Sequence, residues 1–276
     1  MKFALTIAIL ILSAAVDAQR IAIVEPEGAT VEGLASRVRT GLVGEFKIQD
    51  DSMAQAAFRS VTLPDPFNLA TSEARQIGEV LGVSDYILLR STVQRRASIG
   101  RPAYFEAYAI AYVVDARTGS IIGWLRESVE APTENQARDK ILSRTSELAE
   151  NISGALKMNR FSVTRDSKFQ EVPPEDSPLA KGLRTPVPYR RLRPEYTELA
   201  SSYGVRATVD IEVDIDADGS IARTSIERWA GFGLEESVEK AVRSMNWRPA
   251  ERNGKPLRMR ILLRYNFIKV EKDEAP

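Results

Sequence analysis

The sequence predicts an α+β protein: an amino-terminal α/β sandwich-like domain and a small carboxy-terminal ββαβ domain, joined by a Pro-rich linker. Three observations carry this. Apolar residues fall on every second position in 207–215 and again in 257–267, the period of a strand with one buried and one wet face. Helical spacing of apolar residues recurs at 30–44, 72–81, 133–156 and 234–245. Between the two halves, 158–193 has little periodicity and holds Pro173, Pro174, Pro178, Pro186 and Pro188 among charges.

Bulk composition excludes several chemistries. The 276 residues carry 38 Lys and Arg against 38 Asp and Glu, and no Cys or His. A balanced charge gives no whole-chain drive toward nucleic acid. Without Cys or His there are no disulfides, no Cys/His zinc sites, no thiol nucleophile and no His-based triad. A hydrophobic fraction of 43% is ordinary for a globular chain and allows a core.

Taken in order, Met1-Lys2 is a short positive start and 3–15 is apolar or small. That run is shorter than the ~20 residues needed to span a bilayer. Val16-Asp17-Ala18 puts small residues where a signal peptidase reads, so 1–18 is expected to be a signal peptide, cut between Ala18 and Gln19. The product is expected to be soluble and periplasmic, meeting membranes only through partners. Residues 20–157 form the α/β domain. Ile21–Val24 is a buried strand; Thr30 caps a helix to Gly44; Phe46–Ile48 starts another strand. Ser72 caps a helix ending at Leu81, before Gly82. Asp85–Thr92 is a strand with the run Tyr-Ile-Leu-Leu, and Tyr104–Val114 and Ser120–Glu130 form a hairpin. Thr133 with Gln136 opens one long helix to Leu156. The linker, 158–193, is expected to be semi-extended where Pro is dense, with a basic cluster at Arg184, Arg190, Arg191 and Arg193.

The carboxy-terminal domain, 194–268, has the clearest pattern. Val209, Ile211, Val213 and Ile215 alternate with Thr208, Asp210, Glu212 and Asp214. Asp218-Gly219 turns the chain into a second strand. After the loop Trp229–Gly233, Leu234, Val238, Ala241, Val242 and Met245 mark an amphipathic helix that stops before Pro249. Asn253-Gly254 turns into the last strand, and 269–276 is a charged tail.

Asp216–Gly219, Gly231–Leu234, Trp247-Arg-Pro-Ala250 and Asn253-Gly-Lys-Pro256, in this order, resemble the TonB carboxy-terminal domain. One departure is visible: the family opens with a Tyr-Pro pair, whereas Tyr196 is followed by Thr197. In the other half, 74–87 with the hairpin turn Asp115–Gly119 is similar to the α/β domains of the curli-secretion lipoprotein and TolB amino-terminal type. Both resemblances imply interaction domains of the cell envelope, not catalysts.

Other constellations have plainer readings. Asp214–Gly219 matches the opening of a calcium loop, but Ser225 stands where the bidentate Glu belongs, so a hairpin is expected. Gly231-Phe-Gly233 lacks the third Gly of a dinucleotide fingerprint and reads as a tight loop. Glu106, Asp115 and Glu127 read as surface charges on a hairpin. Tyr104, Tyr108 and Tyr112 share one strand face, as an aromatic half-core or as a partner platform. Arg258, Arg260 and Arg264 share a face of the last strand, either as exposed edge charges or as guides for an acidic peptide.

The expectation is therefore a non-enzymatic periplasmic protein without cofactor or metal. Its partner is an extended peptide of an envelope or outer-membrane protein, added as a strand to the final strand, which would place it in transmembrane transport. Arg260, Leu262, Arg264, Tyr265 and Phe267 are the candidate partner-binding residues. The alternative is an envelope assembly scaffold or cell-wall-binding module with no transport role.

Overall fold

A computed structural model of the chain describes residues 19–27, 30–98, 100–158 and 168–268. The expected signal 1–18 with Ala18, residues 159–167 of the expected linker and the tail 269–276 lie outside the described residues. Gln19, the other side of the expected cut, donates its side-chain amide to Asp85 at 2.6 Å.

The amino-terminal half runs β1 (Arg20–Val24), α1 (Leu34–Leu42), β2 (Lys47–Ile48), α2 (Asp51–Arg59), α3 (Thr71–Leu81), β3 (Asp85–Ser98), β4 (Arg101–Asp115), β5 (Ile121–Ala131), α4 (Glu134–Ser143) and α5 (Thr145–Lys157). Its strands form one sheet in the order β2-β1-β3-β4-β5. β1 is parallel to β2 and β3, while β3, β4 and β5 are antiparallel. On one face Ile21, Ile23, Ile87 and Leu89 meet Val38, Ile141 and Ile152 of the helices α1, α4 and α5. Alternation of side chains turns Ala22, Val24, Tyr86 and Leu88 to the other face, onto Phe58 of α2 and Ile77 of α3. A strand covered on both faces needs an unbroken apolar run, which Tyr86–Leu89 supplies.

Three helices differ from expectation. Ala70 stands at the N-cap of α3, its N–H donating to the Glu73 carboxylate at 2.7 Å, so Ser72 lies inside the helix rather than capping it. Gly33, at φ 81°, stands at the N-cap of α1, so Thr30 precedes the helix rather than capping it. The expected long helix is two, because Arg144 closes α4 through its N–H to the Ile141 carbonyl and α5 restarts at Thr145. Thr133 caps α4 by accepting from the Gln136 N–H at 3.4 Å.

The carboxy-terminal half runs β6 (Gln170–Glu171), β7 (Leu183–Arg184), β8 (Val187–Pro188), α6 (Glu198–Ser202), β9 (Ala207–Ile215), β10 (Ile221–Arg228), α7 (Leu234–Arg243), β11 (Trp247–Arg248), β12 (Ala250–Arg252), β13 (Lys255–Leu257) and β14 (Met259–Phe267). The main sheet is ordered β10-β9-β14-β6. Val209, Ile211, Val213 and Ile215 pack in one cluster with Leu234, Val238 and Val242 of α7. Gly219 sits at φ 88°, and a Cβ there would lie 2.4 Å from the Trp247 carbonyl oxygen. That position therefore demands glycine twice over.

Residues 168–193 do not form the expected semi-extended spacer. β6 pairs in parallel with the start of β14, β7 pairs with β12, and β8 pairs with β11. Strands of two residues are too short to show a period, so composition alone could not reveal them. Among the described residues no helix is long and apolar enough to cross a membrane.

Candidate functional site

The outer face of the carboxy-terminal sheet is an ion-pair ladder. The antiparallel register sets Arg260 opposite Asp214 and Arg264 opposite Asp210. Arg260 grips Asp214 with two N–H groups at 2.7 and 2.9 Å, and Arg264 grips Asp210 at 2.8 Å through both. From the other side Arg223 reaches Asp214 and Glu212, each at 3.0 Å. Such forked pairs are strong because two parallel bonds share one geometry. Burial alone would raise the Asp214 carboxyl, but the bonds from Arg260 and Arg223 hold it below the ordinary aspartate range. Arg264 is raised by the hydrogen bond and charge of Asp210.

This corrects two expectations. Asp210, Glu212 and Asp214, expected to be wet, are only 4%, 5% and 1% exposed. Arg260, expected as an exposed edge charge or peptide guide, is 5% exposed. Long guanidinium side chains lie across the acids of the neighbouring strand and remove those acids from water; Arg260 is buried with them, while Arg264 covers Asp210 from an exposed position. Asp214 is thereby committed to arginine, in keeping with a hairpin rather than a calcium loop.

The other candidates separate by parity. Tyr265 and Phe267 are 7% and 5% exposed and join the core. Arg191 lies over the Tyr265 ring at 5.2 Å, and Tyr196 stacks on Phe267 at 6.1 Å. Leu262 alone of the five exposes a large apolar side chain, at 58%. The alternating pattern held this distinction, since residues 265 and 267 share parity with the buried Met259. Tyr196, the remnant of the opening pair, donates its hydroxyl to the Val205 carbonyl at 2.7 Å.

The backbone of β14 matters more than those side chains. β9 occupies one edge along its whole length. On the other edge the Gln170 N–H donates to the Arg258 carbonyl at 3.3 Å, and the Arg191 side chain donates to the Arg264 carbonyl at 3.2 Å. In an antiparallel strand, alternate residues turn their N–H and C=O to the same side. Leu262, Arg264 and Asn266 therefore point theirs outward. β6 pairs only with Met259 and Arg260, and beyond that point no further strand pairs with this edge among the described residues. A cleft of about 660 Å³ runs beside the open end, between 191–196 and 264–268.

The opposite edge, β10, is entered by the amino-terminal half. Ala70 bridges Arg228, and the Trp229 N–H bonds the Leu69 carbonyl at 3.1 Å. Asn68 clamps the Thr208 and Trp229 carbonyls at 2.7 and 2.8 Å. The loop after β10 then inserts into the first domain. Trp229 is fully buried, donates its indole N–H to the Gly119 carbonyl at 3.1 Å and lies 5.6 Å from the Tyr112 ring. The Tyr112 hydroxyl donates to the Ala230 carbonyl at 3.1 Å. Tyr108 meets Tyr203 edge-on at 4.8 Å. Of the tyrosine stripe, Tyr108 and Tyr112 are thus a half-core whose cover is the chain's own second domain, while Tyr104 is only partly buried.

A polar bridge crosses the same junction. Glu106 accepts from the Tyr203 hydroxyl, from Arg96 at 2.8 Å and from Gln94 at 3.2 Å, while Arg126 donates to the Tyr203 hydroxyl at 2.6 Å. Burial would raise Glu106, but the bonds from Tyr203 and Arg96 keep its carboxyl below the ordinary glutamate range. Burial and the bond to Glu106 push Tyr203 up to about 12. Glu106 and Asp115, expected as surface charges, are 9% and 3% exposed. Asp115 caps its turn by accepting from the Arg117 and Thr118 N–H groups, each at 2.9 Å.

Comparison with known proteins gives the following. Residues 193–268 match the family described as Gram-negative bacterial TonB protein C-terminal. No curated protein matches the chain. Among solved structures, lipoprotein GNA1162 of Neisseria meningitidis is 13% identical over 49% of this chain and 99% of that one, with a TM-score of 0.34. The TonB carboxy-terminal domain of Pseudomonas aeruginosa is 21% identical over 34% of this chain and 92% of that one, with a TM-score of 0.27. TolB of Acinetobacter baumannii is 18% identical over 51% of this chain and 28% of that one, with a TM-score of 0.31.

Proposed function

We propose, with the TonB-type domain at residues 193–268 as the premise, that the chain is a non-enzymatic periplasmic adaptor that takes an extended segment of an envelope or outer-membrane protein as a strand added to β14. The observation that carries this is the outward backbone row of Leu262, Arg264 and Asn266, which no strand satisfies among the described residues. A guest strand supplies the missing donors and acceptors, each bond worth about 0.5–1.5 kcal/mol net. From Ile261 to Phe267 the available length is about 24 Å at ~3.4 Å per residue. Arg191, which holds the Arg264 carbonyl, swings aside as the guest arrives. Recognition is backbone-led: Arg260 and Arg264 are held by their aspartates, and Tyr265 and Phe267 support the strand from beneath. The adaptor meets the membrane through its partner, in transport across the outer membrane.

A photoreactive residue at 266, in living cells, tests this. The expected result is a discrete adduct with an envelope protein, lost in Leu262→Pro. That change removes an outward N–H and spares the pairing with β9. Adducts no different from those at the exposed helix position 240, or adducts that persist in Leu262→Pro, would refute it.

A further inference from the structure

A second cleft, of about 760 Å³, lies where the two halves meet. One wall is the start of β5, Ile121 to Trp124; another is Ser225 and Ile226 of β10; Phe232 and α7 complete it. Both strands are the outermost of their sheets. Among the described residues β5 pairs only with β4, and β10 pairs with β9 and, at Arg228 alone, with Ala70. Two strand edges that have no strand partner among the described residues along this stretch therefore line one cavity.

The lining also has a sign. Its apolar surface includes Ile121, Trp124, Ile226 and Phe232, and among the described residues every ionisable side chain lining it is a glutamate: Glu235, Glu236 and Glu239. Glu235 turns back to accept the Gly231 N–H at 2.7 Å, and Glu239 accepts from Thr224 and Arg243 at 2.6 and 2.9 Å. Glu236 is exposed at the mouth. Glu235 is buried, which raises its carboxyl, and is turned onto the loop N–H groups, and Glu239 is paired with Arg243. The exposed negative charge at the mouth is therefore Glu236, whose field a cleft with apolar walls focuses. An extended backbone satisfies an unpaired strand edge, and its side chains alternate in direction.

We propose that this cleft binds an extended peptide in which apolar residues alternate with Lys or Arg, its backbone along the free strand edge, its apolar side chains against Trp124 and Phe232 and its cations toward Glu236. The site needs both halves of the chain and is separate from β14. It does not depend on the β14 edge being used.

The probe is a fluorescein-labelled heptapeptide alternating Val and Lys, added to the full chain, with a Val/Glu heptapeptide as control. Saturable binding of the Val/Lys peptide alone is expected by anisotropy, weakened about fivefold or more in Glu236→Lys and strongly weakened near 0.5 M salt, where screening is nearly complete beyond about 4 Å. The melting temperature of Glu236→Lys should be unchanged, since this side chain is exposed on the helix surface. Leu262→Pro should bind the peptide as well as the parent, which separates this site from the β14 edge. A photoreactive probe should label 121–124 or 225–226. Equal binding of both peptides, no effect of Glu236→Lys, labels confined to 262–266, or peptide-free self-association that buries the cleft in a second copy would each overturn the proposal.

Discussion

Trp229→Ala is the sharpest test of how the two halves are joined. The side chain is fully buried; it belongs to the second domain, while the Tyr112 ring beside it and the Gly119 carbonyl at its indole nitrogen belong to the first. Removing a buried Trp costs about 3–5 kcal/mol through lost transfer energy and the cavity left behind. A Cβ at Gly119 would lie 1.9 Å from the Thr71 carbonyl oxygen, so the turn that accepts the indole bond is packed tightly against the start of α3. The Gly119 carbonyl also loses its donor, about 1 kcal/mol of the total. A loss of about 4 kcal/mol lowers the melting point by about 8–16 °C for a chain of this size. The assay is urea unfolding followed by far-UV circular dichroism and by fluorescence, with Trp124 reporting the junction beside Phe232 and Trp247 the second half. The parent should unfold in one transition by both probes, and the variant in two. A loss below about 1 kcal/mol, with both probes still superposed, would refute a shared core centred on this residue.

Acid should loosen the same junction from its polar side. Glu106 is held below the ordinary glutamate range, so its contribution is full above that range and is lost as pH falls through its folded value. Glu106→Gln should therefore be less stable at neutral pH and show a flatter acid limb in a pH series of melting points. In the ladder, Arg260→Met alone should cost about 3–5 kcal/mol by leaving Asp214 buried without its main partner, while Arg260→Met with Asp214→Leu should recover most of it; denaturant titration of the three chains decides. Gly231→Ala should lower stability by about 2 kcal/mol or more, since φ is 75° and the new Cβ would lie 2.2 Å from the Trp124 indole nitrogen. Gly254→Ala has a similar φ of 82° but no clash, and calorimetry should show only the backbone cost of about 1–2 kcal/mol.

By itself the sequence determined the α+β class, the TonB-type domain and the register-setting elements of its second half. Val209 to Ile215 and Met259 to Phe267 alternate because one face meets α7, and Asp218-Gly219 and Asn253-Gly254 carry the positive φ their turns need. Those are local requirements, written within a few residues of one another. Tertiary structure alone decided which alternating acids stay wet. Asp210 and Asp214 are buried because register brings Arg264 and Arg260 across from them, some 50 residues away in sequence. It also decided that 168–193 folds onto the carboxy-terminal domain, since two-residue strands carry no period. The docking of Trp229 against Tyr112 was likewise invisible: an apolar strand face looks the same whether its cover is a helix, a foreign partner or the chain's own second domain. Burial depends on what arrives from afar, and a local pattern records only that something must.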